Sequence, residues 1–152
     1  AMDTIDRKIL DYVQEKGRDT YAEIGAAVGL SVSAINERLK KLERAGTIKG
    51  WGARVDAKAV GQGVLAFMLL LIDRPENEKR LVDAICALPQ VLECHHITGE
   101  WSYLLKLRLG DVSEIETVLA DTIKQNPGAI RTHTLLALSS RKETAAVPCN
   151  RA

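Results

Sequence analysis

Aromatic side chains make up only 4% of the 152 residues, with a single Phe among them. That disfavours modules that stack unpaired bases on aromatic platforms, so RNA loops and single strands are poor candidate partners. Proline is sparse, and no internal repeat or low-complexity tract interrupts the chain. Cysteine is nearly missing. Cys86, Cys94 and Cys149 are widely spaced and form no Cys-x-x-Cys pair, which excludes a disulfide framework or a zinc ribbon. No apolar run nears the roughly 20 residues that span a bilayer, and no basic stretch followed by an apolar one opens the chain. The expectation is a cytoplasmic protein without a membrane partner. An excess of one charge is absent too: 21 basic residues face 20 acidic ones, for a net +1. Bulk charge therefore says nothing of partners, and its distribution has to be read instead. What remains, 46% hydrophobic and 27% charged, is the balance of a globular protein of one large domain or two small ones.

Residues 3–46 read as helices only. Ile5, Ile9, Leu10 and Val13 recur at helical spacing after a cap at Asp3 or Thr4, and Gly17 ends the segment. A short second helix runs from Thr20 to Val28, closed by Gly29. A third, capped by Ser31 or Ser33, runs to Ala45 before Gly46. Thr47–Val55, with Gly50 and Gly52, reads as a strand pair or wing. Three short helices with a tight Gly29-Leu30 turn before the third match a helix-turn-helix.

Charge sharpens that reading. Between Ser31 and Arg54 stand six basic residues and two acidic ones, a net +4 on one short stretch of a chain that is +1 overall. At about 100° per residue, Ile35, Leu39 and Leu42 share one side of the third helix, and Ser33, Glu37, Lys40 and Arg44 the other. Asn36 and Lys41 flank the latter. Short polar side chains near the helix start suit base edges, with Ser33 and Asn36 the candidates for base contact. Basic ones behind them, Lys40, Lys41 and Arg44, suit phosphates. Ser31, Glu37 and Arg38 complete the candidate double-stranded DNA face. A solvated helix face alone would explain such charges. It would not explain the turn, the wing and the concentration of charge together.

From Gly63 the pattern changes. Val64–Ile72 is an apolar run of strand length, although its Leu and Met residues leave a helix open locally. A helix over Glu78–Leu88, strands over 91–98 and 101–109, a helix through Leu119 and Ile123, and a strand over Ala129–Ser139 follow. The order β-α-β-β-α-β is that of a split, ferredoxin-like unit. The fold class is α+β: a winged helix-turn-helix over 1–55, a hinge over 56–62, and a ferredoxin-like domain over 63–152. Its strands carry large apolar residues on both sides, so one face needs a second copy to cover it. The polar tail from Arg141 reads as an added strand or as an arm across a neighbouring subunit.

Several stretches now add up: Ile5-Asp6-Arg7-Lys8-Ile9-Leu10, Gly29-Leu30-Ser31, Leu42-Glu43-Arg44-Ala45-Gly46, Ile48-Lys49-Gly50 and Thr98-Gly99-Glu100-Trp101-Ser102-Tyr103. With them the chain resembles the Lrp/AsnC (feast/famine) transcription regulators over nearly its whole length. The resemblance implies a DNA-binding domain followed by one that dimerises, assembles dimers, often into octamers, and binds a small effector, commonly an amino acid. It places the effector between subunits at the turn Thr98, Gly99, Glu100, Trp101, Ser102 and Tyr103, with Thr132 and Thr134 as weaker candidates. Many relatives carry acids at the positions of Glu100 and Ser102, and here the second is Ser. No cofactor is implied.

Two other readings lose. Cys94-His95-His96 invites a metal, but strand alternation sends His95 and His96 to opposite faces. An enzyme of the siroheme-decarboxylase type shares the two-domain layout. Yet Lys58 to Ile72 holds no histidine or arginine to grip a many-carboxylate cofactor, and no phosphate loop, nucleophile elbow or triad pattern occurs.

Overall fold

The structure, a computed structural model, describes residues 1–150, the side chain of Val118 excepted. Two compact units divide the chain. One comprises Ala1–Ala53 and the segment from Lys142 onward, and the other comprises Arg54–Arg141. The expected boundaries, 1–55, 56–62 and 63–152, therefore differ from the observed units at both ends of the second one. Residues 56–62, the expected hinge, form a turn. Asp56 Oδ1 accepts from the Lys58 and Ala59 N–H groups at 2.9 and 3.3 Å, and Gln62 N–H donates to Ala57 O at 2.7 Å. Arg151 and Ala152, the last residues of the expected domain, lie outside the described residues.

Three helices build the first unit: α1 (Thr4–Glu15), α2 (Tyr21–Val28) and α3 (Val32–Arg44). Each starts where a short polar side chain can satisfy an orphan N–H. Asp3 with Asp6, and Thr20 with Glu23, form reciprocal capping boxes, and Ser31 accepts from Ala34 N–H. Ile9, Val13, Ile24, Ile35 and Leu39 make the core. Full burial of each such side chain contributes roughly 1.5–3 kcal/mol.

The expected strand pair over Thr47–Val55 does not form. The Thr47 and Ile48 N–H groups bond back to Leu42 O, and Ile48 packs on the core. Trp51 donates to Glu43 Oε1 at 3.3 Å, and its ring lies against Gly17. The segment thus makes its contacts with the helices. A two-stranded ribbon this short and glycine-rich would gain little by comparison.

Arg38 ties α3 to the start of α1. Its guanidinium lies 2.7 Å from Asp3 and 3.0 Å from Asp6, and Asp6 is the only buried charged residue among those described. The Arg38 hydrogen bond, then that from the Asp6 N–H, holds the Asp3 carboxyl below its ordinary value of 3.8. A carboxyl depressed on folding stabilises above its unfolded value. That contribution is full above pH 4 or so and drains away as pH falls through the lowered value. Arg38→Leu should cost the first unit about 2 kcal/mol, since it leaves the buried Asp6 carboxylate short of a charged donor. Urea unfolding followed by Trp51 emission in a Trp101→Phe background measures this, and an unshifted midpoint would refute it.

The second unit is a four-stranded antiparallel sheet with strands β1 (Val64–Ile72), β2 (Val91–His96), β3 (Tyr103–Leu109) and β4 (Ala129–Leu136), in the order β2-β3-β1-β4. β1 is a strand because it is central, paired with β3 on one side and β4 on the other. The helix over 75–86 (α4, Pro75–Cys86) follows β1. The single helix expected after β3 is instead a π-helical segment, Ile115–Ala120, running into α5 (Asp121–Gln125). Its apolar residues Ile115, Leu119 and Ile123 are spaced by four, and a widened turn keeps them together against the sheet.

Alternation sorts the sheet's two faces. Ala66, Met68, Leu70, Leu105, Leu107 and Leu109 pack with Leu81, Ile85 and Leu119 from the helices. The opposite face presents Leu65, Phe67, Leu69, Leu71 and Leu104, with Arg131, His133 and Leu135 on β4. Among the described residues, no helix of this unit packs on it.

Candidate nucleic-acid interface and effector turn

The turn into α3 is very tight. Gly29, at φ +80°, caps α2, and the N–H groups of Gly29 and Leu30 both donate to Gly25 O. The sequence reading missed Gly25. A Cβ there would stand 2.3 Å from Leu30 O, so only glycine lets the chain double back. A glycine inside an otherwise helical pattern was the available signal.

α3 buries Ile35, Leu39 and Leu42 as the wheel requires. Ser31 and Ser33 are exposed at its N-terminus, their hydroxyls 3.3 Å apart, and Asn36 is half-buried behind them. Ser31 also holds the helix cap. Glu37, Lys40, Lys41 and Arg44 are exposed, and the three cations make no ion pair among the described residues. Arg38 stands apart from this group. Its charge is committed to Asp3 and Asp6, so it braces the helix from behind.

In the second unit, the turn from Thr98 to Ser102 joins β2 to β3. Gly99 adopts φ +101°, a left-handed conformation with open space where a side chain would be. Ser102 is less available than its polarity suggested. Its N–H donates to Leu70 O at 2.8 Å, and its Oγ accepts from Ile72 N–H at 3.0 Å, which fastens the turn to β1.

Glu100 has a partner the sequence reading did not include: Arg131 Nη2, at 2.5 Å. The same guanidinium lies 4.6 Å from the Trp101 ring centre, and Trp101 is 6.1 Å from His133. Strand alternation could have put Arg131 beside the turn had the β1–β4 register been known.

The remaining candidates fall on the helix side of the sheet. Tyr103, Leu70 and Thr132 form one cross-strand row, and Met68 with Thr134 belongs to the next. Tyr103 stacks on His96 at 4.8 Å and donates to Glu78 Oε1 at 2.8 Å. Burial first, then Glu78, pushes its hydroxyl up to about 12. The turn residues thus divide: Glu100 and Trp101 go with Arg131, and Tyr103 goes with Thr132 and Thr134 on the other side.

Cys94, His95 and His96 have separate neighbours. His95 bonds Glu93 at 2.8 Å, whereas His96 lies on Tyr103. Burial, then Cys86, pushes the Cys94 thiol up to about 12, which leaves it un-ionised at neutral pH. Among the described residues no helix is long and apolar enough to cross a membrane.

Comparison with known proteins bears on both units. A family model described as the Lrp/AsnC ligand binding domain matches residues 65–147, and one described as a winged helix-turn-helix DNA-binding domain matches residues 2–49. The chain is 33% identical over 147 residues to the HTH-type transcriptional regulator FL11 of Pyrococcus horikoshii, covering 97% of this chain and 96% of that one. It is 32% identical over 145 residues to the leucine-responsive regulatory protein of Escherichia coli, covering 94% and 88%. Among solved structures, a transcriptional regulator of Neisseria meningitidis in complex with L-Met superposes with a TM-score of 0.93 at 31% identity, covering 99% of this chain and 98% of that one.

Proposed function

Since the chain belongs to the Lrp/AsnC family of transcriptional regulators, and is a DNA-binding regulator with a ligand-binding domain rather than an enzyme, we propose how its residues divide the work. The N-terminal end of α3 enters the major groove of double-stranded DNA. Ser33 and Asn36 meet base edges there, with Ser31 and Glu37 beside them, and Lys40, Lys41 and Arg44 meet phosphates. The observation that carries this reading is three exposed cations on one face of a helix that follows a turn only Gly25 permits. Arg38 is the brace for that helix, not a reader.

The effector of this chain is a free amino acid, bound at the turn Thr98–Ser102 on the Arg131 side of the sheet, with Tyr103, Thr132 and Thr134 on the other side. The methionine bound by the Neisseria relative supports that class. Gly99 leaves room for a ligand carboxylate to approach backbone N–H groups. Glu100 offers a charge to an α-ammonium, and Arg131 is the cation it would have to leave. The apolar face bearing Phe67, Leu69 and Leu104 fits a homodimer, and such dimers assemble further, to an octamer, in the cytoplasm where amino acid and operator meet.

A thermal-shift screen of the twenty amino acids, followed by operator binding with each hit, tests the reading. A true ligand raises the midpoint in proportion to the logarithm of its concentration over Kd. Gly99→Val should abolish both the shift and the effector response, because a β-branched residue at φ +101° distorts the turn. Operator binding without effector should survive. A variant that still responds like wild type would place the site elsewhere.

A further inference from the structure

The segment Val147–Asn150 lies on the outer face of α1. Arg7, Asp11 and Gln14 stand there at helical spacing, and all three take hold of main-chain atoms. Asp11 accepts from the Cys149 and Asn150 N–H groups at 2.7 and 3.1 Å. Gln14 pairs with Val147 in both directions at 2.8 Å, accepting from its N–H and donating to its carbonyl. Arg7 donates to Cys149 O at 2.9 Å. Gln14 also approaches the Cys149 side chain, at 3.5 Å. Two N–H groups on one carboxylate are charge-assisted bonds, about twice as strong as neutral ones.

This docking changes how the first unit is held. The chain passes between units at Ala53–Arg54 and again at Arg141–Lys142. One tether lets a domain swing freely, whereas two tethers restrict it. The returning arm also continues from β4, whose Arg131 holds Glu100 of the effector turn.

We propose that Val147–Asn150 is a strap, docked on Arg7, Asp11 and Gln14, that limits the swing of the DNA-reading unit and so sets how tightly a two-half-site operator is held. The role in operator binding rests on the function proposed above, and the docking does not. A restricted unit loses less freedom when two copies settle on half-sites of fixed spacing, so affinity for the paired site is higher.

The test uses the full-length protein, Asp11→Ala, and a chain ending after Ala146. The DNA is the duplex that wild type selects from a random-sequence pool, and the same duplex with one half-site scrambled. Amide exchange at Val147, Cys149 and Asn150 should be slowed in wild type. In Asp11→Ala it should be fast at Cys149 and Asn150, with the α1 amides of Ile9, Leu10 and Val13 still protected. Both variants should bind the paired site about tenfold more weakly and the scrambled site unchanged. Asp11→Ala within the shortened chain should add nothing further. Unprotected tail amides in wild type, unchanged affinity for the paired site, or an equal loss on the scrambled site would each overturn the strap. Wild type that selects no DNA would sink the DNA reading and the strap's role with it, while exchange at Cys149 and Asn150 would still decide the docking.

Discussion

Gly25→Ala should unfold the DNA-reading unit and leave the sheet unit standing. The added methyl carbon would sit 2.3 Å from Leu30 O, a backbone atom that cannot swing aside as a side-chain tip would. Relief requires opening the turn between α2 and α3, which breaks the two hydrogen bonds to Gly25 O and pulls Leu30 off the core. Overpacking of this kind costs about 3 kcal/mol or more, a large part of the stability of a unit this small. Gly29→Ala is the control. That residue is left-handed and belongs to the same turn, but a Cβ there meets nothing within 4 Å. Its cost should be only that of the left-handed backbone, about 1 kcal/mol. Each unit holds one tryptophan, Trp51 in the first and Trp101 in the second, so emission follows one unit once the other tryptophan is replaced by Phe. If Gly25→Ala were no worse than Gly29→Ala, the tight turn would not be the constraint described.

Lys40→Ala with Arg44→Ala should weaken binding to every duplex by roughly 100-fold at low salt. The slope of log affinity against log salt should flatten by about 1.8, near 0.9 for each phosphate no longer neutralised. Asn36→Ala should behave differently, altering which sequence is preferred more than the salt dependence. Folding should be untouched in the double variant, because both side chains are exposed and neither packs on the core. Titrations of matched and mismatched duplexes at several salt concentrations read all of these quantities. An unchanged affinity and slope in the double variant would remove α3 from the interface.

The same helix shows what the sequence could and could not yield. Periodicity identified Ile35, Leu39 and Leu42 as its buried side, because that information is local. The wheel also places Arg38 only about 60° from Ile35, on the inward flank, which argues for a structural partner rather than DNA. Of the acceptors, Asp3 was legible as a possible cap, but joining it and Asp6 to Arg38 required the packing of α1 on α3. β1 was ambiguous for the same kind of reason. Nine apolar residues show no alternation when both faces of a central strand are covered or half-covered, and only pairing with β3 and β4 decides. The wing failed as a strand pair because Ile48 and Trp51 had better contacts on the helices than with each other's backbone. At the turn joining β2 to β3, Gly99 announced itself. The capture of Glu100 by Arg131 did not, since it depends on a register set across β1. Asp11 and Gln14 carried no signal at all, because an exposed acid and amide on a helix look solvated until the chain returns to them.

That return matters for the protein as it is made. Asp11 and the Cys149 N–H it receives are 138 residues apart. At synthesis rates of about 5–20 residues per second, roughly 7–28 s separate the emergence of α1 from that of its ligand. α1, α2 and α3 have all their mutual contacts within Ala1–Ala53, so they can fold while the rest is still being added. Through that interval the nascent chain carries a finished helix-turn-helix with an empty dock. The dock fills only after the whole sheet has been translated, which makes tail capture a mark of a finished sheet unit. A ribosome that stops before Val147 therefore releases a reader that is folded and unstrapped.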